Sequence, residues 1–298
     1  VNTVRHRLPA YAWIGLGVIL ISEVLMFQDV EPVATFFTAI VWTGYILLMD
    51  GLVYRIKGAS LIRTRPKEFL FLVLFSIVLW LIFEFYNFHL RNWTYENLPE
   101  NLLSRWLGYA WVFATILPGV FETVEWIEAN GWFARMRVRP LKLPPMLIRQ
   151  SVLFGALFSF GPLFAPEEVA PYLFAFVWVG YALMLDPLNY FPKDASLFGD
   201  LEQGRLDRFA SYFAAGLICG LLWEFWNYWA HARWVYTVPI MQNFKLFEMP
   251  LVWYLGFPAF AYECFVMTTF AKRWWGVKER GISEVERDHH HERSRQSI

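Results

Sequence analysis

Two short segments hold the side chains best suited to chemistry. Residues 83–88 read FEFYNF and residues 223–228 read WEFWNY, a recurrence at a shift of 140. Helical spacing puts Glu84, Asn87 and Arg91 on one stripe, and Glu224, Asn227 and His231 on its counterpart. Each stripe combines a carboxylate, an amide and a cationic or titratable group. Trp80, Phe83, Phe85 and Tyr86, and in the second copy Trp223, Phe225, Trp226 and Trp229, surround them with rings. A carboxyl group walled off from water is suited to donate a proton, with Glu84 and Glu224 as acid and base and the other four residues orienting. Aromatic faces can also stabilise a cationic intermediate. An equal reading is structural: Glu and Asn close hydrogen bonds across a helix interface, and Arg91 neutralises Glu84.

A second motif is also written twice. GYILLMDGLVYRIKGASL at 44–61 returns as GYALMLDPLNYFPKDASL at 180–197, shifted by 136. Asp50 and Asp186 precede Gly51 and Pro187, so they read as organisers of a turn at a helix end. Lys57 and Lys193 follow seven residues later, placed to pair with the aspartates or with lipid phosphates. A third pair, LPGVFETVEW at 117–126 and GFPAFAYECF at 256–265, joins a proline to an acid. Pro118 and Pro258 should kink their helices, with Glu122 and Glu263 bordering a cavity or satisfying freed backbone. Trp80, Tyr86, Trp223, Trp226, Glu122 and Glu263 are the candidate substrate contacts.

Several chemistries lack their residues. His89 and His231 have no HxxxH or ExxH spacing, so no metal site is expected, and no cofactor is indicated. There is no Gly-rich phosphate loop, no Ser or Cys elbow and no DxxD motif. Cys219 and Cys264 sit in apolar runs and read as inert thiols. Glu23 has no repeated counterpart.

The elements that must carry these residues are membrane helices. Hydrophobic residues make up 57% of the chain and charged residues 17%, a membrane-protein composition that gives no reason to expect nucleic acid. Apolar segments lie near 10–27, 34–54, 69–88, 105–127, 147–165, 171–190, 208–228 and 249–271, against roughly 20 residues for one crossing. Of the 26 Lys and Arg, 22 fall on one side of the resulting topology, and only Arg91, Arg105, Arg233 and Lys245 on the other. The positive-inside rule then places both termini in the cytoplasm of an inner (plasma) membrane protein. The expected fold is an all-α polytopic bundle of eight helices, built as two parallel four-helix repeats. Its divisions are residues 1–130 and 147–275, a basic linker at 131–146 and a polar tail at 276–298. At 1.5 Å per residue, Glu84 lies about 22 Å beyond Phe69 and Glu224 about 24 Å beyond Arg208, near the outer surface. Asp50 and Asp186 fall near the inner one.

Around Trp223-Glu224-Phe225 the chain resembles integral-membrane terpene cyclases, both the lycopene-cyclase type with two small helical halves and the fungal meroterpenoid type. The resemblance covers a few dozen residues. It implies that an acid from each half, Glu224 and Glu84, protonates or steers an isoprenoid. The lycopene type carries a Pro-x-Glu-Glu run, whereas here Glu122 and Glu125 follow Pro118 separately. The doublet as a whole is similar to bacterial multipass proteins with a tandem four-helix repeat. Three functions remain open: a membrane-embedded acid–base enzyme acting on a lipid or isoprenoid, a parallel-repeat transporter, and a non-catalytic subunit binding a quinone, pigment or partner complex. Membrane lipid and a hydrophobic small molecule are the expected partners.

Overall fold

The structure is a computed structural model that describes residues 6–190 and 195–275. Lys193 and the 276–298 tail lie outside the described residues. The first half runs α1 (Ala10–Phe27), α2 (Val33–Lys57), α3 (Leu61–Thr64), α4 (Pro66–Leu90), β1 (Trp93–Glu96), α5 (Leu102–Ala114) and α6 (Ile116–Ala129). The second runs α7 (Pro145–Phe160), α8 (Phe174–Asn189), α9 (Leu197–Glu202), α10 (Asp207–Trp229), β2 (Arg233–Tyr236), β3 (Lys245–Leu246), β4 (Met249–Pro250) and α11 (Gly256–Trp275). Among the described residues, 7 helical spans are long and apolar enough to cross a membrane. The chain is an all-α multipass membrane protein.

The sixth apolar segment, 171–190, holds a shorter helix than the seven spans. Helix α8 has 16 residues, about 24 Å of helix against a hydrocarbon core of roughly 30 Å. A 3₁₀ turn at Ala170–Tyr172, containing Pro171, takes up the residues before it.

The proline motifs mark breaks in their spans. Pro118 and Pro258 are each the third residue of a helix, α6 and α11, and the helical path is interrupted just before them. In a first turn the backbone N–H has no intrahelical partner, so proline loses nothing there. The break in the first half falls at Thr115, between α5 and α6. In the second half a 3₁₀ segment, Leu251–Leu255, precedes α11.

Each half begins with a tight helix pair that depends on a glycine from the repeated motif. A Cβ on Gly44 of α2 would lie 2.8 Å from the Gly15 carbonyl of α1, and one on Gly180 of α8 would lie 2.6 Å from the Ser159 backbone nitrogen of α7. Only glycine allows such backbone approach. Helices α6 and α11 then pack in the middle of the bundle, against α2 and α10, and against α8 and α10, respectively.

At one end, β1 and β2 form a two-stranded antiparallel ribbon, with Trp93 opposite Tyr236 and Tyr95 opposite Trp234. Side chains alternate along a strand, so these four rings share one face. Arg233 and Glu96 form an ion pair at 3.4 Å.

Candidate functional site

Behind the ribbon, Glu84 and Glu224 meet nearly the same set of donors. Glu84 Oε1 accepts from Trp80 Nε1 at 2.9 Å and from Trp93 Nε1 at 3.1 Å, and also from the Tyr95 hydroxyl. Glu224 Oε1 accepts from the Tyr236 hydroxyl at 2.7 Å and from Trp234 Nε1 at 3.4 Å. Burial, and then the adjacent glutamate, push both tyrosine hydroxyls well above the ordinary tyrosine value of 10.0. They therefore remain donors throughout the physiological range.

The two asparagines serve the ribbon backbone rather than the carboxylates. Asn87 Oδ1 accepts from the backbone N–H of Asn92 at 2.8 Å and of Trp93 at 3.1 Å, while its Nδ2 donates to the Trp93 carbonyl at 2.9 Å. Asn227 grips Trp234 in the same way, at 2.9 Å through N–H and 2.8 Å through the carbonyl. Each asparagine sits one turn after its glutamate and fixes the strand that brings Trp and Tyr back to that glutamate. Glu, Asn, Trp and Tyr thus form one closed unit per half.

Arg91 and His231 do not join these units. Arg91 ends α4 in the left-handed conformation and forms an exposed ion pair with Glu167 at 3.7 Å. His231 lies past the end of α10, exposed, and its carbonyl accepts from Asn97. The helical stripe fails because both helices stop before the third residue of the pattern. Glu84 has indole and phenol donors in place of a cation.

The donors open onto a cavity between the halves. Its volume is about 980 Å³, mouth included. Of its 19 lining residues 13 are aromatic, and none carries a formal charge. Trp80, Trp93, Tyr95, Trp223, Trp234 and Tyr236 line it, but Glu84 and Glu224 do not. The walls are rigid through edge-to-face contacts: Trp93 on Phe174 with centroids 5.1 Å apart, Trp178 on Trp253 at 5.3 Å, Trp80 on Phe260 at 5.8 Å.

Other candidate contacts lie elsewhere. Tyr86 donates to the Ser159 carbonyl at 2.8 Å, between the halves, and Trp226 donates to Glu23 at 3.0 Å while packing on Trp42. Glu122 and Glu263 are fully buried, off the cavity, with no hydrogen-bond partner among the described residues. No protein-family model, curated protein or solved structure matches this chain.

Asp50 and Asp186 hold turns. Asp50 accepts from the Ile62 N–H at 2.7 Å and Ser60 Oγ at 2.9 Å; Asp186 accepts from the Leu197 and Phe198 N–H groups at 2.8 Å each. Together with Ser60 and Ser196 at the N-caps, they anchor the starts of α3 and α9 to the preceding membrane helices. Lys57 forms no ion pair with Asp50, whose carboxylate is taken by these donors and by Tyr11.

Of the donors, Trp80 is legible as a site residue from the sequence, whereas Trp93, Tyr95, Trp234 and Tyr236 are not, because single Trp and Tyr residues gather at membrane boundaries for other reasons. Their signal was a second recurrence: Trp-x-Tyr at 93–95 returns at 234–236, shifted by 141. That is one more than the Glu-Asn shift, because the second loop carries one extra residue.

At the opposite end, a charged cavity lies between the halves, lined by residues including Arg65, Glu68, Glu125, Arg208 and Lys272. Lys272 of α11 bonds Glu68 of α4 at 2.6 Å, and Arg65 pairs with Glu125. Among the described residues no group of three or more His, Cys, Asp or Glu is placed to hold a metal ion.

Proposed function

We propose that this protein binds an isoprenoid-type or similarly apolar lipid in the aromatic cavity, in the outer half of the bilayer, and presents it to two Glu–Tyr pairs for acid–base chemistry. The observation that carries this reading is the composition of the cavity wall: 13 aromatic residues of 19, no formal charge, and two tyrosine hydroxyls that each reach a glutamate standing behind them. Aromatic faces suit an unsaturated chain and any positive charge that develops on it. A proton reaching the ligand passes through Tyr95 or Tyr236, because the carboxylates do not line the cavity: the hydroxyl gives its proton to the ligand and takes one from the protonated form of the glutamate behind it.

The placement of Lys and Arg supports cytoplasmic termini in an inner-membrane protein. The paired glycines, Asp caps and Glu–Asn–Trp–Tyr units support eight spans arranged as two parallel repeats. Rocking of the halves, as a transporter of this kind requires, would have to break the β1–β2 ribbon that joins them, which favours a fixed binding chamber.

Lipid extracted from protein purified in mild detergent tests the reading. Mass spectrometry should find a specific apolar lipid with the wild type and its loss in the cavity-filling variant Val112→Trp. Wild-type protein that carries no lipid beyond bulk membrane species would end it. Retained lipid with unchanged lipid profiles in cells expressing Tyr95→Phe and Tyr236→Phe would leave binding and remove the chemistry.

A further inference from the structure

Two residues on the cavity wall have hydrogen-bonding capacity left over. The Trp253 indole N–H and Asn92 Oδ1 are both buried, and neither has a partner among the described residues. The Asn92 orientation is set by its own amide, which donates to the Pro171 carbonyl at 2.8 Å, so the oxygen is the free atom. A buried donor and a buried acceptor are costly to leave unpaired, and nearly all such groups in native proteins find a partner. In a chamber otherwise lined by rings, one N–H and one amide oxygen are the few polar groups that would orient a ligand.

The two atoms differ in what they ask for. Trp253 Nε1 needs an acceptor, and Asn92 Oδ1 needs a donor. A hydroxyl group is both. Charge argues in the same direction: an anion would lose its hydration against aromatic rings with no cation on the wall, and with two glutamates behind the tyrosines.

We propose, resting on the lipid-binding reading above, that the cavity selects an uncharged lipid alcohol over the matching hydrocarbon or diphosphate, with Trp253 and Asn92 recognising its oxygen. The test uses the full chain in nanodiscs, titrated with three probes and followed by tryptophan fluorescence. The probes are geranylgeraniol, geranylgeranyl diphosphate and the same chain with hydrogen in place of the hydroxyl. The alcohol should bind about tenfold tighter than the hydrocarbon, the size of one hydrogen bond to a buried group, and the diphosphate should bind weakest. Trp253→Phe keeps a ring but loses the N–H; it should weaken the alcohol toward the hydrocarbon's affinity, with Asn92 Oδ1 still accepting from the hydroxyl, and leave the hydrocarbon unchanged. Equal binding of alcohol and hydrocarbon, tightest binding of the diphosphate, or an equal loss for both neutral probes in Trp253→Phe would each overturn the assignment while leaving the cavity a lipid site. Failure of all three probes to bind would overturn both readings.

Discussion

Trp93 and Tyr236 lie opposite each other across the ribbon, and each is hydrogen-bonded to the glutamate of its own half, at 3.1 Å to Glu84 and 2.7 Å to Glu224. One wall of the cavity is therefore assembled from both halves, and neither glutamate is positioned independently of the other repeat. Tyr95→Phe removes a hydroxyl donor from the half-buried Glu84, and Tyr236→Phe removes one from the buried Glu224. Each should lower stability by about 1.5–3 kcal/mol, as for hydrogen bonds to charged groups, read as a lower midpoint on heating in detergent. Because both hydroxyls have raised folded-state values, their contribution is complete below the unfolded tyrosine value of about 10 and is lost as pH rises beyond it.

The asparagine clamp predicts a different signature. Asn227→Leu strands the Trp234 backbone N–H and carbonyl together, at roughly 1–3 kcal/mol for each unsatisfied buried group. Hydrogen exchange should quicken at the Trp234 amide and along β2, while α10 stays protected. If exchange rises along α10 equally, the asparagine serves the helix rather than the strand.

Much of this organisation was legible in the sequence, and what was not has specific physical causes. Seven of the eight apolar segments hold helical spans long and apolar enough to cross a membrane, and 171–190 holds the shorter α8, because hydropathy reports the cost of burying backbone and charge directly. The aspartates were only partly legible: Asp50 is not at a helix end, since α2 runs on to Lys57, and its carboxylate instead reaches forward to Ser60 and Ile62 at the start of α3. The site itself was only half visible. Helical spacing led from Glu84 and Asn87 to Arg91, but α4 stops at Leu90, and the chain reverses to bring Trp93 and Tyr95 back to Glu84. Helical spacing carries no information about such a reversal. Glu122 and Glu263 were found by their proline spacing, yet their lack of partners needed coordinates.

The charged cavity at the opposite end holds the halves together through Lys272 and Glu68, whose side chains are only 6% and 16% exposed. Lys272→Met leaves Glu68 with Arg65 alone. Breaking one side of such a sheltered pair costs about 3–5 kcal/mol. Thermal unfolding should show that loss, and Glu68→Gln in the same chain should recover part of it. No recovery would mean that the pair is not the source.

The aspartate caps should separate stability from ligand binding. Asp186→Ala frees the Leu197 and Phe198 amides at the start of α9 and should cost about 0.5–2 kcal/mol. Lipid retention should not change, since Asp186 does not line the aromatic cavity. Loss of lipid at unchanged stability would contradict a purely structural role for this residue.

The two Glu–Tyr units are not equal, and glutamine substitution should expose the difference. Glu84 Oε1 gathers three donors, whereas Glu224 has two, and its Oε2 is buried without a partner among the described residues. The missing donor has a steric cause. The position of Trp80 is taken in the second half by Gly220, where any side chain would run into Phe257. An orphaned buried oxygen costs more on a carboxylate than the unpaired half of a neutral amide of the same shape, which offsets the charge-assisted bonds that glutamine weakens. Glu224→Gln should therefore leave the unfolding midpoint close to wild type. Glu84→Gln replaces three charge-assisted bonds by neutral ones and should lower stability by about 1–3 kcal/mol. The reverse order, with Glu224→Gln the more damaging, would show that the second unit depends on a charged Glu224 and that its free oxygen is satisfied by a group the protein does not supply.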